Sequence, residues 1–162
     1  MYSIFENLPK SARIWIYQSS REILPSELKQ ISIASEEFCN SWQVHGNPLK
    51  SSYKVLNNWF LILAADESEH SVSGCSIDSS VLFIKNISQE FGIDFLDRTQ
   101  VAYLSVDNES IKLEPISAIK EKVQEGVIVP NTVTFNNLVK NIEELDEKWI
   151  VPASESWMKK YF

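Results

Sequence analysis

The sequence predicts an α+β fold: a ferredoxin-like βαββαβ core with a C-terminal extension of short strands and helices. Three observations predict it. Arg13–Gln18 alternates in polarity and is rich in β-branched and aromatic residues, which suits a pleated, half-buried strand. Trp59–Ala65 is an unbroken apolar run of strand length, as expected for a central strand buried on both faces. Two separate stretches carry apolar residues at helical spacing, and in chain order these elements read β-α-β-β-α-β.

Each element has its own grounds. After the first strand, Pro25 suits the opening of a helix, where its missing N–H is not needed. Leu28, Ile31, Phe38 and Trp42 fall on one stripe, and Gly46 is a natural stop, so the helix is expected over 25–45. Lys50–Leu56 reads as a second strand, joined to the apolar third by Asn57-Asn58, which tolerate positive φ. A polar loop from Asp66 to Gly74 precedes a second helix capped by Ser76 or Asp78. That helix turns Val81, Ile84, Ile87 and Phe91 inward and stops at Gly92. Gln100–Ser105 is the fourth strand. Beyond the Asp107-Asn108-Glu109 turn, a strand at 110–113, a helix at 115–125, an extended stretch to Phe135, a helix at 137–148 and a short final helix complete the chain. Trp149, Trp157, Tyr161 and Phe162 are expected to dock this tail.

Composition bounds the functional class. With 162 residues, 44% hydrophobic and 23% charged, the chain is an ordinary globular size and mix, read as a single α+β domain over 1–162. The net charge of −7 opposes binding to nucleic acid or to an anionic membrane, since both need a basic footprint. Met1–Lys10 shows no basic-then-apolar leader, and the two cysteines read as reduced thiols, so a soluble cytoplasmic protein is expected. No cofactor motif is visible.

Three stretches carry a resemblance: His45–Lys50, Ser73–Ser80 and Phe91–Arg98, together with the tail from Trp149 to Phe162. They resemble a family of small bacterial proteins of uncharacterised function, commonly labelled ATPases of ABC transporters, and the likeness covers essentially the whole chain. That label implies a phosphate-cradling G-x-x-x-x-G-K-[ST] loop. This chain has four glycines, at positions 46, 74, 92 and 126, and no two are near one another. No Walker A loop exists, so the resemblance supplies no mechanism.

The residues with most chemical interest surround Cys75. Placed just before a helix N-terminus, its thiolate would be favoured by the dipole and free N–H groups. His45 is the candidate base and Asp78 the nearby carboxylate, which suggests a thiol-dependent enzyme for acyl transfer or redox work. Asp78 so close would also raise the thiol pKa, and the serines around Cys75 are good helix caps, so a structural cysteine is the competing reading. Asp66, Ser76 and Arg98 are candidate binding residues, Arg98 for its rigid donor fork toward an anion. Cys39, His45, His70 and Cys75 match the ligand count of a zinc site but not its close-pair spacing, so no metal is expected. Trp15, Tyr17 and Tyr103 would be a base-stacking platform only if exposed, and sheet aromatics are usually core. The expected function is a binding or interaction domain using the 45–50 and 73–78 loops. Its partner is an unidentified small molecule or protein, with oligomeric state open; the alternative is the Cys75–His45 enzyme.

Overall fold

The computed structural model describes residues 1–107 and 109–162, and its α+β character agrees with the sequence. The predicted turn at Asp107-Asn108-Glu109 lies partly outside the described residues. Where the sequence shows no boundary, the chain forms two compact units: 1–96 with 140–143, and 97–139 with 144–162. The second unit begins not at a linker but at an ordered turn, in which Asp97 Oδ1 accepts from Thr99 N at 2.8 Å. That explains why composition gives no sign of it.

In the first unit, β1 (Arg13–Gln18), α1 (Pro25–Ser41), β2 (Gln43–Val44), β3 (Asn47–Pro48), β4 (Ser51–Leu56), β5 (Phe60–Ala65) and α2 (Gly74–Phe91) follow in order. The main sheet runs β1-β5-β4, and β5 is antiparallel to both neighbours. β1 and β4 are therefore parallel, joined through α1 as a split β-α-β unit. Every residue of β5 is buried, as its apolar run requires. The helices pack through Ile31, Ile84 and Ile87 onto Tyr17, Leu61 and Leu63, where each fully buried aliphatic side chain contributes about 2 kcal/mol. Asn57 and Asn58 take φ of +54° and +57° in the β4–β5 turn, the conformation predicted for that pair.

The predicted ferredoxin-like sheet is not formed, because its expected fourth strand lies in another sheet. Gln100–Leu104 (β6) does not join the β1-β5-β4 sheet. The backbone beside β1 is met instead by 140–142: Ile14 N donates to Lys140 O at 3.0 Å and Ile142 N to Ala12 O at 3.2 Å. A distant segment thus takes the edge position, a pairing that element order alone does not encode.

In the second unit β6 pairs with β7 (Ile111–Pro115) and β8 (Val133–Phe135), and β8 with β9 (Ile150–Pro152), all antiparallel. The predicted 115–125 helix is a 3-10 turn, Ile116–Ala118, followed by α3 (Ile119–Gln124). The predicted 137–148 helix is shorter, α4 (Ile142–Lys148). Tyr103, Ile119, Ile128, Ala153 and Met158 form the core. Of the tail aromatics, Trp149 is buried, whereas Trp157 and Phe162 remain exposed.

Candidate functional site

The first helix ends earlier than its apolar stripe suggests. α1 stops at Ser41, and Trp42 turns extended with φ −68° and ψ 129°. Gln43-Val44 then pair with Asn47-Pro48 as a hairpin whose two-residue turn is His45-Gly46, at φ +50° and +79°. Two consecutive positive φ values give the primed turn whose twist suits a tight hairpin. Gly46 is therefore the hairpin turn and not a helix stop, and His45 stands exposed at the tip rather than on a helix.

The second helix starts earlier than expected. Its cap is Ser73, whose Oγ accepts from Ser76 N at 3.3 Å. Cys75 accordingly lies inside the first turn of α2, exposed, with its carbonyl accepting from Ser79 Oγ at 2.9 Å. The other end of α2 terminates at Gly92, the predicted stop, which is in the left-handed conformation.

Two hydrogen bonds tie the hairpin to this first turn. The Trp42 indole N–H donates to the Ser76 carbonyl at 2.9 Å, and Ser76 Oγ donates to the Gln43 carbonyl at 2.8 Å. Beneath them Trp42, Val44, Leu49 and Ala65 form a buried cluster with Trp15, Phe38 and Val72 against it. The Trp42 ring meets Phe38 and Trp15 at centroid distances of 5.0 and 5.6 Å. The 45–48 and 73–78 segments therefore stand side by side, with His45, Asn47, Pro48, Cys75 and Asp78 exposed on them.

The other candidates separate into holders and outliers. Ser76 is 2% exposed and its hydroxyl is occupied by Gln43, so it joins the two segments from below and offers no group to a ligand. Asp66 pairs with Lys50 at 3.3 Å and accepts from Ser68 N at 3.0 Å. Burial would raise its pKa, but the Ser68 and Lys50 hydrogen bonds together hold it below the ordinary carboxylate value. Nearby, Glu67 Oε1 accepts from Val72 N at 2.7 Å and fastens the loop between β5 and α2. Arg98 is exposed in the second unit.

Among the described residues no hydrogen bond joins the Cys75 thiol, the His45 imidazole and the Asp78 carboxylate to one another. Cys39 is fully buried, and burial, eased only partly by a hydrogen bond with Ser51, pushes its thiol up to about 12. Among the described residues, no three His, Cys, Asp or Glu side chains converge as metal ligands, and no helix is long and apolar enough to cross a membrane. Tyr17 and Tyr103 are buried in their cores, so the stacking platform weighed from sequence does not form.

No family model, no curated protein and no solved structure matches this chain. Its function has to be read from its own geometry.

The residues that build this surface carry little signal in the sequence. In the sequence Trp42 is one more position on a helical stripe, and Ser76 fits a cap or a ligand contact. The signal available was His45-Gly46 between Gln43-Val44 and Asn47-Pro48, a two-residue turn with glycine second and short flanks able to pair.

Proposed function

We propose that the chain is a cytoplasmic binding or interaction module whose partner surface is the hairpin tip His45–Pro48 together with the exposed first turn of α2. The observation that carries this reading is the pair of hydrogen bonds, the buried one from Trp42 to Ser76 and the partly buried one from Ser76 to Gln43. A two-strand hairpin alone is marginal in water. Here it is fixed to a helix end and backed by a packed aromatic cluster, so its exposed groups are held in place before any partner arrives. Pre-organisation of that kind lowers the ordering cost of binding. The partner class is a small molecule or a protein.

The thiol-enzyme reading keeps one supporting observation, an exposed thiol in the first turn of an 18-residue helix. It lacks the hydrogen bond between nucleophile and base that such a mechanism uses. The binding reading is tested by attaching a photo-crosslinker to Cys75 and, as a control, to Glu90→Cys in a Cys75→Ser chain, in the last turn of the same helix. Specific adducts from cell extract at position 75, absent at 90 and abolished by His45→Asp with Asn47→Arg, are expected. Equal yields at the two positions overturn it.

A further inference from the structure

The strongest unassigned arrangement lies in the second unit. A 3-10 turn, Trp157–Tyr161, follows Ser156, whose Oγ caps it by accepting from Met158 N at 3.1 Å. Met158 is 1% exposed and plugs the turn into the core of Tyr103, Ile119, Ile128 and Ala153, with Tyr161 packed alongside. The buried Met158 fixes how its neighbours project. Trp157, 47% exposed, meets the Tyr161 ring nearly at right angles, 80° between planes and 6.2 Å between centroids. The Lys160 ammonium sits over both faces, 5.6 Å from Trp157 and 5.0 Å from Tyr161.

We infer that Trp157 and Tyr161 are two walls of a binding site for a methylated ammonium, occupied in the free protein by the Lys160 side chain. Aromatic faces carry negative quadrupole charge and attract cations within about 6 Å, and perpendicular walls direct two such faces at one point. A primary ammonium is a poor permanent occupant. It carries three N–H donors, is strongly hydrated, and finds no acceptor in either ring. A quaternary ammonium has no N–H to leave unsatisfied and presents methyl groups to the rings, so it gives up less on leaving water. The net charge of −7 also favours a cationic ligand at long range. Lys160 thus acts as a tethered, displaceable competitor, and the site lies apart in sequence from the proposed partner surface.

The test uses the full chain. Choline is titrated while the indole N–H resonance of Trp157, assigned through Trp157→Leu, is followed by NMR; 3,3-dimethylbutan-1-ol serves as the neutral isostere. A saturable shift with choline and none with the alcohol is expected. Lys160→Ala should tighten binding about threefold, the equivalent of about 0.7 kcal/mol. Free trimethyl-lysine in place of choline tells a methylated side chain from a small free ammonium by whichever binds more tightly. Because Trp157 is half exposed, Trp157→Leu should keep the fold and lose the binding. A response as strong to the alcohol as to choline, or no tightening in Lys160→Ala, overturns the inference.

Discussion

The indole N–H of Trp42 reaches the main-chain carbonyl of Ser76 at 2.9 Å, so a residue just past the end of one helix holds the first turn of the next. The two partners are 34 residues apart and their bond is buried. Ser76 returns the connection through its hydroxyl to Gln43. Breaking either bond should loosen the hairpin before it unfolds the domain. Ser76→Ala, which leaves the Gln43 carbonyl without its donor, should lower stability by about 1–2 kcal/mol. Trp42→Phe should lower it by a similar amount. Denaturant melts check the totals, and hydrogen exchange should show protection lost first over 43–48.

Two glycines should respond in opposite directions. Gly46 has φ +79° and no heavy atom within 4 Å of an added Cβ, so Gly46→Ala meets only backbone strain. A loss of about 1 kcal/mol is expected. Gly74 lies in the first turn of α2, is equally uncrowded and is not in the left-handed region. Gly74→Ala should stabilise by ~0.5 kcal/mol through the unfolded chain. Thermal melts of the two variants read both signs.

The two thiols should behave as different groups. Cys75 is exposed, while Cys39 is fully buried and pushed up to about 12. One equivalent of a maleimide should add to the native protein, and peptide mapping should place it on Cys75. Cys39 should label only after denaturation.

Acid sensitivity should trace to Glu27. Its carboxylate accepts from both Arg21 Nη atoms at 2.8 and 2.9 Å and from Leu24 N at 2.9 Å, while Arg21 also donates to the Phe91 carbonyl at 3.0 Å. The Arg21 hydrogen bonds, with that from Leu24, lower its pKa from 4.5 to about 2. A depressed carboxylate stabilises the fold above its unfolded pKa, and that contribution fades as pH falls from about 4.5 to about 2. Glu27→Gln should therefore be less stable than the native chain near neutral pH. The gap between their melting temperatures should close across that acid window.

Local chemistry wrote most of the first unit plainly, and the failures have physical causes. β1, β5, the Asn57-Asn58 turn and the Gly92 stop follow from β-branched alternation, an apolar run and residues that tolerate positive φ. The end of α1 is hidden in the sequence because Trp42 continues the helical stripe, while its indole donates to Ser76, a partner that periodicity cannot reveal. Ser73 does not stand out as the cap because Ser76 and Asp78 are also good caps, and only the packed position of the helix chooses among them. β6 reads as a strand from its own residues, but its pairing with β7 and β8 does not follow from them. A strand's pattern reports its faces and says little about which edge it joins. The candidate site was legible as two segments, and their junction was not.

Whether the surface displays groups for a partner or performs thiol chemistry is decided most directly by one rate. Alkylation of Cys75 at neutral pH should be measured in the native chain and in His45→Ala, with Cys39 as the internal protected thiol. The same rate is expected in both, because no hydrogen bond links His45 to Cys75. A fall of about tenfold or more in His45→Ala, equivalent to about 1.4 kcal/mol, would contradict it and establish the pair as a working nucleophile and base.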